Sequence, residues 1–227
     1  MNPLKGLFVT GTDTNVGKTV VAAALMLRYR ADVALRYWKP IQTGIEQSDD
    51  QGDDTKTVER LGRCQPGELF RSGIRLPRPV SPHLAARWSG TTIEIPPLVE
   101  SIARKPGDRA WIVEGAGGVL VPMNDGQTMV DLMVALDLPV VVAARTALGT
   151  INHTLLTLEA LRRRNLRVAA VVMVGDPDPD NKAAVQHHGH VAVLGEMPRF
   201  TALTAAALEA WSLSRLDPDG QLFEQLR

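Results

Sequence analysis

The stretch FVTGTDTNVGKTV, residues 8–20, constrains this chain more than any other. An apolar run, Leu7-Phe8-Val9, leads into a glycine-containing loop that closes on Gly17-Lys18-Thr19. The run VVAAALML then continues as a helix. Strand, loop and helix N-terminus in that order form a phosphate cradle, because backbone N–H groups and the positive end of the helix dipole converge there. Lys18 is placed to reach β- and γ-phosphates, and the Thr19 hydroxyl to ligate Mg²⁺. The usual pattern, G-x-x-x-x-G-K-[ST], asks for glycine at position 12. Thr12 stands there, and Gly11, one place earlier, is the residue able to relieve crowding at the loop entrance.

A loop of this kind belongs at the end of a parallel strand, and the rest of the chain supplies such strands. Residues 5–10, 33–38, 110–114, 139–144, 167–174 and 191–194 read as strands, several of them apolar throughout. Strands covered by helices on both faces have that character. Helical patterns fit 18–30, 54–61, 81–88, 96–105, 128–136, 149–164 and 202–212. The alternation predicts an α/β fold with a mostly parallel, doubly wound sheet, as in P-loop NTPases. With 227 residues and 44% apolar content, residues 1–227 are expected to form one domain. The stretch 62–80, rich in Pro, Gly and Arg, reads as an excursion over the sheet edge.

Charge and cysteine content narrow the partners. Lys plus Arg and Asp plus Glu both number 25, so there is no basic footprint for nucleic acid and no attraction to anionic lipid. No apolar run is long enough to span a membrane, and the N-terminus lacks a signal-peptide core. Cys64 is alone, so no internal disulfide forms and a reducing cytoplasm is expected.

Three further stretches carry candidate chemistry. Val113-Glu114-Gly115-Ala116-Gly117-Gly118 follows the strand AWIV, and a carboxylate at the C-terminal end of a parallel strand lies on the ligand edge of the sheet. Taken alone, it fits a glycine-rich turn with a solvated Glu114 equally well. Trp38-Lys39-Pro40 and Gln42-Thr43-Gly44 end the second strand, which puts Lys39 on the same edge, although surface lysines at strand ends are common. Ser48-Asp49-Asp50-Gln51-Gly52-Asp53-Asp54 is either a solvated acidic loop with a helix N-cap or the source of a Mg²⁺ ligand, for which Asp53 and Asp54 serve equally by spacing. His187, His188 and His190 match no zinc spacing and read as a solvated helix end.

Together, GTDTNVGKT, WKPIQTG, SPH at 81–83, VEGAGG, LGTINHTLLT at 148–157 and GEMP at 195–198 resemble the dethiobiotin synthetase family of biotin biosynthesis. The resemblance implies an enzyme that joins CO₂ to 7,8-diaminopelargonic acid with a nucleoside triphosphate, ATP or another, and Mg²⁺. One amine takes up CO₂ as a carbamate, the γ-phosphate converts it to a mixed anhydride, and the second amine closes the ring. It implies that Lys18 and Lys39 act in catalysis, and that Thr19, Asp54 and Glu114 hold the metal. Asn15, Val16, Gly17, Lys18, Thr19, Val20, Asp54, Glu114, Gly115, Ala116, Gly117 and Gly175 become nucleotide contacts. Thr12, Asp13, Thr43, Gly149, Thr150, Ile151 and Asn152 become substrate contacts, the last four as a helix N-terminus that receives a carboxylate, with sites at the interface of a homodimer. His153 is expected to orient the loop.

One departure stands out. Many members carry Asn-Asp after the strand corresponding to 168–174, and that Asn reads adenine; here the chain has Val174-Gly175-Asp176, which implies relaxed base choice. Two other readings fit less well. ATPases of cobyrinic acid amidation are longer, carrying a glutaminase domain. Partitioning ATPases have a lysine near the start of the loop, where this chain has Gly11-Thr12-Asp13.

Overall fold

The computed structural model describes residues 4–45, 52–105 and 107–227. Ser48 to Gln51 of the acidic stretch lie outside the described residues. Seven strands form one sheet in the order β4-β2-β6-β1-β7-β8-β9, with every pairing parallel. They are β1 (Gly6–Gly11), β2 (Leu35–Trp38), β4 (Leu69–Phe70), β6 (Ala110–Gly118), β7 (Val140–Arg145), β8 (Val168–Val174) and β9 (Val193–Met197). A second, two-stranded sheet pairs β3 (Ile41–Thr43) with β5 (Ile74–Leu76), also in parallel.

Alternating side chains of β1 enter two different cores. Leu7 and Val9 pack with α1 (Lys18–Tyr29), α2 (Asp54–Leu61) and α8 (Ala205–Arg215). Phe8 faces the other layer, built from α3 (Pro82–Trp88), α4 (Ile95–Ala103), α5 (Met129–Leu136), α6 (Thr150–Arg162) and α7 (Pro179–Gly189). Both faces are therefore dry, which is why β7 can read Val-Val-Val-Ala-Ala without a polar break. Each fully buried aliphatic side chain contributes about 1.5–3 kcal/mol of transfer free energy, so this double burial drives the fold.

The chain runs outward on one side of β1 through β2 and β4, returns through β6, and continues on the far side through β7 to β9. The order reverses beside β1, where the C-terminal ends of β1, β2 and β6 border a crevice; open α/β sheets bind ligands at such a point. Stretch 62–80 does lie at the sheet edge, but it contributes β4 beside β2 and β5 beside β3. The second strand starts at Leu35, two residues later than its apolar run suggests. The histidines were read as a solvated helix end, and α7 does end there, but its run from Pro179 was not among the helical patterns because only Val185 and Gly189 of it are buried. Its start does carry helix signals, with Asp178 as N-cap accepting from Asn181 N and Pro179 in the first turn.

Candidate active site

The phosphate loop sits between the end of β1 and α1. Gly17, with φ 97°, is the N-cap of α1 and supplies no side chain to cap it. Only glycine adopts that left-handed conformation without strain. Asn15 also has positive φ, at 55°, and is exposed on the loop, while Val16 is buried beneath it. A Cβ on Gly11 would come within 2.5 Å of Val16 Cγ2, so Gly11 lets the loop fold back onto its own valine. Asn15, Gly17, Lys18, Thr19 and Val20 line a cleft of about 440 Å³ together with Lys39, Thr43, Asp54, Glu114, Ala116 and Gly117.

Four elements meet at the floor of this cleft. Glu114, fully buried in β6, accepts from Thr19 Oγ1 at 2.9 Å and from Lys39 Nζ at 2.7 Å through one oxygen, Oε1. Its other oxygen accepts from the Tyr37 hydroxyl at 2.7 Å. Thr19 Oγ1 also stands 2.9 Å from Asp54 Oδ1. A hydroxyl has one proton to donate, so it cannot satisfy both carboxylates at once. Lys39 Nζ lies 2.6 Å from Asp54 Oδ2 and 2.9 Å from Gly115 O, which with Glu114 occupies its three donors.

The electrostatics follow from burial. Burial alone lowers the Lys39 ammonium, but Glu114 and Asp54 outweigh it and hold its pKa above the ordinary lysine value. Burial raises the Glu114 carboxyl against the opposing pull of Lys39. Asp54 resists ionisation through burial, yet Lys39 and Thr19 leave its pKa lowered. Among the described residues Lys18 has no carboxylate at contact distance; its Nζ donates to Asp13 O at 2.8 Å. Burial first, and the Lys39 charge second, lower its pKa to about 8.

The structure separates the two aspartates that spacing could not. Asp53 accepts from Thr55 N and Lys56 N and caps α2, whereas Asp54, one residue on, faces Lys39 and Thr19. Thr12 and Asp13 line a second cleft of about 400 Å³ with residues 118–122, His153, Leu156, Thr157 and Ala160. Gly149, Thr150, Ile151 and Asn152 form the start of α6, outside both clefts. Thr150 is buried and donates its hydroxyl to Arg145 O, so only its backbone can face a ligand. Gly175 follows β8 with φ 137°, and Val174 packs onto Gly17. His187 and His188 meet edge to face at the end of α7.

Several contributors escape a motif reading. Tyr37 looks like any strand residue, and its partner Glu114 is 77 positions away. Arg145, at the end of β7, reaches Asp13 Oδ2 at 2.6 Å. Gln42 holds the start of α2 by accepting from Asp54 N at 3.2 Å and donating to Gly52 O at 2.6 Å. Its place in the WKPIQTG motif marked it only as a neighbour of Thr43.

The fold and the loop at this cleft define a P-loop NTPase-like protein. A family model described as an AAA domain matches residues 5–207. The ATP-dependent dethiobiotin synthetase BioD of Paramagnetospirillum magneticum is 48% identical over 205 residues, covering 90% of this chain and 93% of its own. That of Agrobacterium fabrum is 42% identical over 200 residues, covering 88% and 89%. The chain belongs to the dethiobiotin synthetase family of ligases. In fold it is similar to a ParA family ATPase from Chlorobium tepidum, with a TM-score of 0.56, 13% identity and coverage of 92% and 98%. At that identity the likeness is one of architecture.

Proposed function

We propose that this protein closes the ureido ring of dethiobiotin from 7,8-diaminopelargonic acid, CO₂ and ATP. The observation that carries the reading is one cleft lined by both Lys18 and Lys39, in which Thr19 and Lys39 each meet the Asp54 and Glu114 carboxylates. One amine of the substrate adds to CO₂ to give a carbamate. A carbamate oxygen attacks the γ-phosphate, the β–γ bridging P–O bond breaks, and the nucleoside diphosphate leaves. The second amine then attacks the carbamic-phosphoric anhydride carbon, and phosphate departs as the ring closes. Each step brings anions together, so the protein contributes positioning and positive charge.

The oxygen donors of Thr19, Asp54 and Glu114 suit Mg²⁺, a hard ion that takes one or two carboxylates and completes its shell with phosphate oxygens and water. Bound there, the metal would neutralise phosphate charge. Thr19, Asp54 and Glu114 would share the metal with the triphosphate oxygens. Lys18 holds the β/γ-phosphates and Lys39 faces the transferred group. Thr12, Asp13 and Thr43 orient the amines, and the start of α6 receives the distal carboxylate, across a homodimer. Leu120 and Leu156, exposed at 61% and 57%, line the second cleft and support a partner surface there.

Base choice is relaxed in this reading. A Cβ on Gly175 would come within 2.3 Å of Thr146 Oγ1, so the position has no room for a base-reading side chain, and Val174 offers no donor. CTP and GTP are expected to give kcat/KM within about tenfold of ATP, because no dedicated hydrogen bond is left unpaired by the wrong base. A comparison of the four triphosphates checks this, and a strong preference for ATP would overturn it. For the activity itself, nucleotide hydrolysis in bicarbonate buffer is expected to depend on diaminopelargonate. Hydrolysis indifferent to the diamine would refute the synthetase reading.

A further inference from the structure

We propose that Arg75 is a positioning residue for phosphoryl transfer: it cross-links the strand end bearing Lys39 to the helix turn bearing Asp54. The inference rests on the role given to Lys39 above. Arg75 Nη1 donates to Lys39 O at 3.2 Å, and Nη2 to Thr55 Oγ1 at 2.8 Å. Thr55 is buried and directly follows Asp54 in the first turn of α2. The guanidinium therefore ties the backbone of Lys39 to the side chain of the residue that follows Asp54, and the Lys39 and Asp54 side chains meet at 2.6 Å.

The small sheet accounts for this placement. Gln42 of β3 lies in register with Arg75 of β5, so the two side chains stand side by side on one face. Gln42 grips the backbone of Gly52 and Asp54, and Arg75 the hydroxyl of Thr55. Stretch 62–80 thus brings a second grip to the turn that carries Asp54. The approach is close, since a Cβ on Gly73 would come within 2.5 Å of Lys39 O. A planar fork suits two acceptors on separate elements, whereas an ammonium on a flexible stem reaches one of them without fixing the angle between them.

The test compares Arg75→Met, Arg75→Lys, Thr55→Val and Lys39→Ala in the full chain by steady-state kinetics with diamine and ATP. Arg75→Met is expected to lower kcat by about ten- to a hundredfold, the scale of a small misplacement of reacting groups. KM for ATP should stay within about threefold, because the Lys18 loop is untouched. Millimolar guanidinium chloride should restore part of the lost rate in Arg75→Met and none in Lys39→Ala, and Arg75→Lys should remain slow. Thr55→Val, which keeps Arg75 and the side-chain shape, should also lower kcat, and should add nothing to Arg75→Met. The proposal is overturned if Arg75→Met keeps kcat within about twofold of wild type while Lys39→Ala is slow. It is equally overturned if the Arg75→Met loss is not rescued. If Arg75→Met does not fold, an unchanged kcat in Thr55→Val overturns it. If Lys39→Ala itself runs at the wild-type rate, the role of Lys39 falls and the proposal with it.

Discussion

Replacing Lys39 by alanine is expected to lower kcat by at least about two orders of magnitude, the cost of removing one charged donor from a transition state. The resting geometry explains why the loss falls on kcat. All three Lys39 donors are engaged, by Asp54 Oδ2, Glu114 Oε1 and Gly115 O. Binding a γ-phosphate requires Lys39 to exchange at least one of these for a phosphate oxygen, so its full contribution develops as charge accumulates there. Alanine also leaves Glu114 fully buried without its counter-charge. An unpaired buried carboxylate is costly, so a fall in melting temperature should accompany the fall in rate. Lys39→Arg, which keeps the charge and alters the reach, separates the two effects. It should recover more stability than rate, because the site around a rigid planar guanidinium must rearrange. A Lys39→Ala enzyme with near-normal kcat would contradict the role given to this residue.

How far the sequence disclosed this site depended on the range of the interactions. The loop of residues 11–19 was legible because strand, glycine, lysine and helix are contiguous, and chemistry and conformation are written in one stretch. Lys39 was legible as a residue at a strand end, since parallel strands deliver such residues to one edge, whereas the strand expected to end at Glu114 runs on to Gly118. The meeting of Lys39 and Glu114 at 2.7 Å was not legible, because it depends on β2 pairing with β6, a matter of sheet order. Asp53 and Asp54 shared one local signal; the family resemblance pointed to Asp54, and the start of α2 uses Asp53 as its cap and turns Asp54 toward Lys39 and Thr19. Strands β3 and β5 have three residues each, too few to show a period, so the platform behind Asp54 left no trace beyond an irregular stretch. Tyr37 sat within a correctly read strand, yet nothing local distinguishes a phenol that packs from one that binds a carboxylate. Helix α7 failed for the opposite reason: its cap and proline were present, but its mostly solvated surface has no apolar stripe.

Lys18→Ala is expected to lose at least about two orders of magnitude in kcat as well, but with a different signature. Lys18 and Lys39 approach the triphosphate with unequal charge in reserve. Lys39 is held protonated by two carboxylates at contact distance, whereas Lys18 donates to a backbone carbonyl, and burial beside a second cation outweighs the more distant Glu114, Asp54 and Asp13 and lowers its pKa to about 8. In the free enzyme, Lys18 therefore releases its proton as pH rises through that value. A bound triphosphate favours the charged form and restores the proton. Nucleotide binding above pH 8 should thus take up a substantial fraction of a proton, and affinity should weaken as pH rises further. Calorimetry at one pH in buffers of different ionisation enthalpy measures that uptake directly, and it should disappear in Lys18→Met. Lys39→Ala removes the like charge that helps to depress Lys18, so in that variant the onset of uptake should move to higher pH. If proton uptake were the same in wild type and Lys18→Met, the proton would belong to another group. Lys18 would then meet phosphate with its charge already in place.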